Sequence, residues 1–203
     1  GAAQAGKSTL VGVLAGGPSS LDDGKGSART LVMRHMHELE TGATSCVSQR
    51  VLGFDSDSQL LNWTDEFART PAELCEASAR LLTLLDLCGH DRYLKTTLTG
   101  LTAHAPGAAV LCVGADVGIT STTSLHAALA AALGLPVVGL VCKADLVDEP
   151  ALRQAEDSLI RLLREHGFPA PTLVRNDDDL ASAELPLPAP LPVFARPQPS
   201  HDR

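Results

Sequence analysis

Three near-continuous apolar runs dominate the pattern of hydrophobic and polar positions along the chain. They cover residues 81–86, 108–114 and 136–142, and the first of them ends in an acid. A strand that is buried on both faces of a parallel sheet has this continuous apolar pattern, whereas a half-exposed strand alternates. We therefore predict three buried parallel strands.

Helical patterns accompany these runs. Residues 122–133 predict a helix between the second and third strands, and residues 150–165 predict an amphipathic helix with acids at its start and Gly167 just past its end. Alternation of strands and helices is typical of a parallel α/β sheet, in which ligands bind at the carboxyl ends of the strands.

The pattern is weaker in the N-terminal part of the chain. Residues 9–14 predict a helix, residues 16–26 a loop rich in Gly, Ser, Pro and Asp, and residues 29–40 a short helix of moderate signal. Residues 46–54 alternate enough to predict a strand, and residues 60–63 predict a second, short antiparallel strand.

The C-terminal stretch is rich in acids and then in proline. Residues 175–179 predict an acidic loop, residues 185–199 are dense in proline, and residues 193–195 are the only candidate for a last strand. We predict one domain over residues 1–195, followed by a tail over residues 196–203.

Composition narrows the classes of protein. At 203 residues and 44% hydrophobic content the chain can bury one sizeable core, and its net charge of -8 argues against a general nucleic-acid surface. Five cysteines without C-x-x-C spacing favour reduced thiols in the cytosol over disulfides or a zinc site. No apolar run is long enough to cross a membrane, and no signal-peptide pattern begins the chain.

Candidate chemistry is concentrated in the first eight residues. They read Gly1-Ala2-Ala3-Gln4-Ala5-Gly6-Lys7-Ser8 and fit the phosphate-binding pattern G-x-x-x-x-G-K-[ST]. The glycines let backbone N–H groups turn toward phosphate oxygens at the start of a helix. Lys7 can then reach the outer phosphates, and the Ser8 hydroxyl can ligate magnesium. A Gly/Ala-rich loop can match by accident, but the helix over residues 9–14 is the context that the motif requires.

The strand that should precede such a loop is missing, because Gly1 is both the first residue and the first glycine of the motif. We therefore expect a fragment that lacks the first, central strand of its sheet. The loss of a row of ladder hydrogen bonds and of apolar burial predicts that the fragment alone is unstable.

Asp86, Gly89 and His90 follow the first apolar run. Asp86 could hold magnesium through water, Gly89 could offer its N–H to a terminal phosphate, and His90 could lie beside an attacking water. Alternatively, Asp86 simply caps a strand end and His90 is an exposed loop histidine.

Cys142, Lys143 and Asp145 end another apolar run. Asp145 could accept hydrogen bonds from the ring and amino N–H groups of guanine, with Lys143 over the base, whereas adenine offers that carboxylate the wrong edge. Alternatively, Asp145 caps the turn before the helix at Pro150, and Lys143 is merely solvated. The order of phosphate loop, Thr44, D-x-x-G-H and x-K-x-D is more specific than any one of these elements.

The other histidines, cysteines and the tryptophan favour no site. His35 and His37 suggest a metal, but their spacing predicts different helix faces, which favours solvated surface histidines. We assign His126, Cys75 and Trp63 to packing or to the surface.

Together these residues resemble the G domain of translational GTPases of the elongation-factor class, and within it the subfamily of GTP-binding proteins 1 and 2. The segments that carry the resemblance are Gly1 to Leu10 with Gly12-Val13-Leu14, Arg34-His35-Met36-His37-Glu38, Leu52-Gly53-Phe54-Asp55-Ser56 and Gly89-His90-Asp91-Arg92-Tyr93-Leu94-Lys95-Thr96-Thr97. Ala2-Ala3 favours the GTP-binding protein 2 branch. The resemblance implies an α/β P-loop NTPase fold, a three-layer sandwich with a mostly parallel sheet.

The resemblance also implies GTP or GDP and Mg²⁺ as ligands. The nucleotide-binding residues would be Gly1, Ala2, Ala3, Gln4, Ala5, Gly6, Lys7, Ser8, Thr9, Asp86, Gly89, Cys142, Lys143 and Asp145. Ser8, Thr44 and Asp86 would ligate the magnesium ion. Catalysis would use Lys7, Thr44, Gly89 and His90 through positioning and electrostatics, with His90 orienting water when a ribosome docks.

Several positions depart from the family pattern. Gln4 stands where the family has Asp, and Cys142 stands where elongation factors have Asn and GTP-binding proteins 1 and 2 have Thr or Ser. Ala3 and Ala43 are small where elongation factors carry bulky apolar residues that shield the histidine. The last guanine-binding motif, usually similar to Ser-Ala-Leu, reads Ala195-Arg196-Pro197.

Three functional hypotheses follow. The first is a cytoplasmic GTP-hydrolysing switch that acts with ribosomes in elongation or in rescue and quality control, contacting tRNA or a rescue factor through domains absent from this sequence. The second is a weakly hydrolysing or inactive nucleotide-binding scaffold that serves as a protein-interaction module. The third is an ATP-using P-loop enzyme, against which Asp145 behind Lys143 argues.

Overall fold

The described residues form two two-stranded sheets with helices between and around the strands. The computed structural model describes residues 1–64, 70–175 and 179. In chain order the elements are α1 (Lys7–Gly16), α2 (Met36–Thr41), β1 (Ser48–Phe54), α3 (Pro71–Ala77), β2 (Arg80–Asp86), α4 (Leu94–Ala103), β3 (Ala109–Gly114), α5 (Ser121–Ala132), β4 (Val137–Cys142) and α6 (Glu149–Glu165). Short 3-10 turns lie at Pro18–Ser20, Ser27–Leu31, Leu61–Trp63, Asp91–Tyr93 and Ala144–Leu146.

Strands β3 and β4 form the parallel pair that their continuous apolar runs predict. The register runs from Ala109 opposite Val137 to Gly114 opposite Cys142. Aliphatic side chains from β3, α5 and α6 meet in one buried cluster, which comprises Leu111, Val113, Ala127, Leu159, Leu162 and Leu163. The helices predicted over residues 122–133 and 150–165 are confirmed as α5 and α6.

Strand β2 is present, but its surroundings differ from the prediction. It pairs antiparallel with β1, with Ser48 opposite Asp86. Leu81 and Leu82 are each 43% exposed, although the apolar run predicted a strand buried on both faces. The reason is that β1 is its sole strand partner within the described residues, so the first half of β2 stays open while its end at Asp86 is buried.

The short antiparallel strand predicted over residues 60–63 is wrong. Only an isolated bridge between Phe54 and Leu60 forms, and the chain then turns in a 3-10 helix at Leu61–Trp63. Hydrogen bonds to the end of α1 explain the turn. The Asn62 amide donates to the carbonyls of Ala15 and Val51, both at 3.1 Å. Trp63 Nε1 donates to the Leu14 carbonyl at 3.1 Å, so this tryptophan ties the turn to α1.

The single helix predicted over residues 29–40 is also wrong. The chain forms a 3-10 turn at Ser27–Leu31 and then a separate helix, α2, from Met36 to Thr41. The Glu38 carboxylate accepts the backbone N–H groups of Arg34 at 2.9 Å and His35 at 3.1 Å. These bonds hold the residues before α2 outside the helix and so delay its start.

Helix starts follow local capping. Helix α3, which the hydrophobic pattern did not predict, begins with a capping box in which Thr70 and Glu73 bond each other's backbone N–H groups, at 3.3 Å and 2.7 Å. Helix α4 was likewise not predicted. At α6 the cap is Asp148, whose carboxylate accepts from the Ala151 N–H at 3.1 Å.

Two expectations from composition can be compared with the structure. All five cysteines are free. Within the described part of the chain, no helix has both the length and the apolar character needed to cross a bilayer.

The C-terminal predictions lie almost entirely outside the described residues. The proline-dense stretch, the strand over residues 193–195, the motif at residues 195–197 and the tail all do so, and the acidic loop is described only at Arg175 and Asp179.

Asn62 provides the stability test of this fold. Its side chain is 5% exposed, and its oxygen also accepts from the Gly53 N–H at 2.9 Å. Replacement by Ala leaves one buried and two partly buried backbone groups without this partner, so Asn62→Ala should lower the free energy of unfolding by about 2–3 kcal/mol. Urea unfolding measures this, with the exposed Gln59→Ala as the control. A loss for Asn62→Ala no larger than that of the control contradicts the anchoring role.

Candidate functional site

The phosphate-binding motif forms a turn that ends at the start of α1. Gly6 precedes the helix with φ of 90°, a left-handed conformation that favours glycine. Lys7 folds back over the turn, and its Nζ donates to the Ala2 carbonyl at 2.6 Å. Ser8 and Thr9 follow in the first helical turn, where backbone N–H groups have no helical acceptor. The loop thus offers one ammonium group and several N–H groups to an anion.

The middle of the loop differs in exposure from residue to residue. Ala3 and Gln4 are exposed, whereas Ala5 is buried. Gln4 adopts φ of 61°, one of four left-handed conformations of non-glycine residues in the described chain.

Gly89 brings the segment after β2 directly against this loop. A Cβ atom at Gly89 would overlap the Lys7 ammonium and the Ala2 carbonyl. Glycine is therefore required for the close approach of this segment to Lys7 and Ala2.

Three side-chain oxygens from separate elements meet beside Lys7. Ser8 on α1 and Thr44 after α2 lie with their hydroxyl oxygens 2.7 Å apart. Asp86 at the end of β2 is 2% exposed, and neither of its carboxylate oxygens has a hydrogen-bond partner in the described residues. An unpartnered buried carboxylate next to two hydroxyls fits a hard divalent cation, and Mg²⁺ prefers such oxygen donors.

Charge at this cluster is balanced between Asp86 and Lys7. Burial raises the pKa of the Asp86 carboxyl, and the hydroxyl of Ser8 and the charge of Lys7 oppose the rise. Burial lowers the pKa of the Lys7 ammonium, and Asp86 opposes that change. Each group supports the ionised form of the other in a desolvated site.

His90 lies at the edge of the cluster. It is exposed, and its Nδ1 accepts from the Arg92 N–H at 3.2 Å. Because a backbone N–H can only donate, the neutral imidazole carries its proton on Nε2. His90 therefore caps the 3-10 turn at Asp91–Tyr93 and is not joined to Lys7, Ser8 or Asp86 by a hydrogen bond.

Cys142 also comes close to the loop, and Lys143 follows it. A Cβ at Gly6 would lie 3.2 Å from Cys142 Cβ and 3.4 Å from its sulfur, so the end of β4 packs on the loop. A hydrogen bond to Cys112 and burial raise the pKa of Cys142, which keeps it a neutral thiol. Lys143 is not merely solvated, since its Nζ contacts Asp116 Oδ2 at 2.7 Å, and it adopts φ of 60°.

Asp145 stands apart from this packing. It is exposed in the 3-10 turn at Ala144–Leu146, and the cap of α6 is Asp148. The cap of this 3-10 turn is Lys143, so the alternative in which Asp145 caps the turn before α6 is wrong.

Sequence analysis identified no specific contact for three residues that lie around the site. His126, assigned to packing or the surface, is buried and contacts the Gly1 carbonyl through Nδ1 at 3.1 Å. Asp116 holds Lys143, and Glu38 is completely buried beside Thr44. A polar residue within an apolar helix or strand pattern was the available signal for His126, but such positions also occur without function.

His35 and His37 are both exposed, as predicted for surface histidines. Their rings are nevertheless stacked, with centroids 5.3 Å apart. The prediction that they lie on different helix faces is wrong, because His35 precedes α2 in an extended conformation.

Comparison with known proteins agrees with this geometry. The chain matches the family described as the elongation factor Tu GTP binding domain over residues 1–184. It is 42% identical to GTP-binding protein 2 of Mus musculus and of Homo sapiens over 184 residues, which is 90% of this chain and 30% of each relative. It is 43% identical to GTP-binding protein 1 of Xenopus laevis over 183 residues, 89% of this chain and 28% of that protein.

A solved structure shares the fold. The crystal structure of a bacterial selenocysteine-specific elongation factor, EF-Sec, superposes with a TM-score of 0.60 over 83% of this chain and 23% of that one, at 21% identity. This match and the family match confirm the predicted α/β P-loop fold. The chain spans less than a third of the length of these proteins.

Stability should depend on pH through His126. Burial lowers the pKa of this histidine from 6.5 to about 4. The unfolded state therefore binds more protons between these two values, so stability is full above pH 6.5 and falls as pH drops toward 4.

The loss should be on the order of 2–3 kcal/mol. Urea unfolding across this pH range should show a weaker dependence for His126→Gln than for the parent protein. The exposed His104→Gln serves as the control, and an unchanged slope in His126→Gln would refute the assignment.

Proposed function

The chain belongs to the family of elongation factor Tu GTP-binding domains, and we propose that it is a GTP-hydrolysing switch of the translational class. The observation that carries the proposal is the convergence of Ser8, Thr44 and the unpartnered Asp86 beside Lys7. A nucleotide triphosphate with its magnesium ion is the ligand that this combination of charge and oxygen donors would satisfy.

The phosphate loop would bind and orient the nucleotide. Lys7 would exchange its bond to the Ala2 carbonyl for the outer phosphate oxygens, while loop N–H groups hold the inner ones. Ser8, Thr44 and Asp86 would hold Mg²⁺, Asp86 through a water. When bound, the ion supplies positive charge that offsets the charge on the phosphates.

Thr44 and Gly89 would respond to the terminal phosphate. Thr44 would close over it, and the Gly89 N–H would donate to it from the segment that already lies against Lys7. Hydrolysis removes the group that both segments contact and so would release them, which converts a chemical step into a change of partner affinity.

His90 would orient the attacking water. Its exposed ring accepts a hydrogen bond from the Arg92 N–H at Nδ1, which leaves Nε2 to contact the water. Docking on a ribosome is the proposed trigger. Catalysis then rests on positioning, with no covalent step on the protein.

Guanine would be recognised at the ends of β3 and β4. Asp145 would accept from the guanine ring and amino N–H groups, and Lys143 would lie over the base, oriented by Asp116. Cys142 packs on the loop as a small neutral group and would add little hydrogen bonding.

The chain spans about 30% of the length of the curated relatives it matches, so the cellular role proposed next is that of a longer protein. We place it in the cytoplasm, acting with ribosomes in elongation or in rescue and quality control. Contacts with tRNA or with a rescue factor would come from other parts of such a protein.

A second candidate function is a nucleotide-binding scaffold that hydrolyses little. The exposure of His90 and its bond to the Arg92 N–H favour it, as do the departures at Gln4 and Cys142. In that case GTP would bind tightly, and the protein would act through partner binding alone.

Nucleotide selectivity tests the guanine site. Fluorescent GDP and GTP analogues should bind and be displaced by GTP but not by ATP. Asp145→Asn should weaken GTP binding by at least about 10-fold, and it should bind XTP better, because xanthine replaces the amino donor by a carbonyl that the new amide can meet. Asp157→Asn on the exposed side of α6 is the control. Equal displacement by ATP would support the ATP-using hypothesis instead.

Hydrolysis distinguishes the switch from the scaffold. With ribosomes present, His90→Ala should lower kcat by about 100-fold or more while nucleotide affinity stays unchanged. His104→Ala is the matched exposed control. Tight GTP binding with a hydrolysis rate that is low and indifferent to His90 would favour the scaffold.

A further inference from the structure

Glu38 is the most completely buried charged side chain in the described residues, with 0% exposure. Its Oε2 accepts the N–H groups of Arg34 and His35 at 2.9 Å and 3.1 Å. Its Oε1 accepts the N–H of Ser45 at 2.6 Å, the Ser45 hydroxyl at 2.8 Å and the N–H of Cys46 at 3.2 Å. One carboxylate therefore joins the start of α2 to the residues that directly follow Thr44.

Residues 38–45 form a short loop that is closed by two hydrogen bonds of Glu38. The Glu38 carbonyl accepts from the Gly42 N–H at 2.7 Å, where the chain leaves α2, and the Glu38 side chain bonds Ser45 beyond it. Thr44 lies between these two attachments, with its hydroxyl 2.7 Å from that of Ser8. A shift of Ser45 would therefore move the Thr44 hydroxyl away from α1.

Glu38 stays ionised at neutral pH. Burial alone raises the pKa of its carboxyl, but hydrogen bonds from Ser45, Arg34 and His35 outweigh it and lower the pKa to about 2. Bonds from N–H and O–H donors to a buried anion are stronger than those to a neutral acceptor.

A metal site is the competing interpretation of this cluster. Ligand atoms of His35, Glu38 and Cys46 all lie within 4.8 Å of one another. However, five donors already occupy a carboxylate that has about four lone-pair sites. Burial and the charge of Glu38 also raise the pKa of the Cys46 thiol, which disfavours the thiolate that a metal requires.

We propose that Glu38 is a positioning residue that holds Thr44 in the place where it would meet magnesium and the terminal phosphate. The inference rests on the proposed function, because Thr44 has a ligand to meet only if a nucleotide triphosphate binds here. Glu38 itself touches neither nucleotide nor metal. Its effect should therefore appear only with ligands that engage Thr44.

Glu38→Gln tests this directly. The amide keeps the shape but carries an NH₂ group, which cannot accept, so it faces either the Ser45 and Cys46 donors or the Arg34 and His35 donors without bonding them. We expect the affinity for a non-hydrolysable GTP analogue with Mg²⁺ to fall at least about 10-fold, while GDP affinity stays within about twofold. Glu40→Gln, exposed on the same helix, is the control.

A double-mutant cycle with Thr44→Ala separates positioning from general stability. If Glu38 acts through Thr44, Glu38→Gln should have no further effect on analogue binding in the Thr44→Ala background. Equal losses for GDP and the analogue, or additive losses in the cycle, would overturn the proposal. Should Glu38→Gln fail to fold, Ser45→Ala removes one of the five bonds and enters the same cycle with a smaller expected loss.

Two measurements keep this test separate from the proposed function. If the parent protein binds neither GDP nor the analogue, the proposed function fails, and with it the inference. If the parent binds both but Glu38→Gln matches it, only the inference fails. The parent protein could also bind Zn²⁺ stoichiometrically and lose that binding in Cys46→Ala. This result would overturn the positioning role of Glu38 in favour of a metal site.

Discussion

A carboxylate buried without a hydrogen-bond partner is costly, and the arrangement around Asp86 depends on how that cost is met. Asp86 lies at the end of β2, where only the nearby ammonium of Lys7 and the dipoles of two hydroxyls offset its desolvation. Lys7 in turn comes from α1, and the hydroxyls come from α1 and the segment after α2. Helix α1, the segment after α2 and strand β2 therefore meet at the Asp86 carboxylate, whose desolvation is only partly offset by these neighbours.

Two glycines allow neighbouring backbone segments to pack closely against the phosphate loop. Gly89 lets the backbone after β2 lie against Lys7, and Gly6 lets the end of β4 lie against the loop. At Gly89 a Cβ would overlap its neighbours, whereas at Gly6 the left-handed backbone, with φ of 90°, favours glycine and a Cβ would be tight against the last residue of β4. The ends of β2 and β4 therefore converge on the phosphate loop from two directions, and the loop is confined even though Ala3 and Gln4 remain exposed.

Long, continuous patterns were the best guide from sequence to structure. The runs that became β3 and β4 and the helices α5 and α6 carry enough aliphatic residues to form a core whatever their neighbours do. The errors at residues 29–40 and 60–63 both come from a polar side chain that bonds backbone groups. Glu38 bonds N–H groups three and four positions before it, and Asn62 bonds carbonyls 11 and 47 positions away. Hydrophobic periodicity reports neither kind of bond. The motif residues were found from their spacing, whereas the contacts that Glu38, Asp116 and His126 make are visible only in the folded chain.

Two loops of the site contain non-glycine residues with left-handed backbone, Gln4 at φ of 61° and Lys143 at φ of 60°. That conformation costs an ordinary residue roughly 1 kcal/mol or more, which a glycine would not incur. At Lys143 this cost accompanies an ion pair with Asp116 that already restrains the amine. A restrained side chain loses less entropy on binding, so a ligand that contacts Lys143 would bind with a smaller entropic loss than one that must order a free lysine.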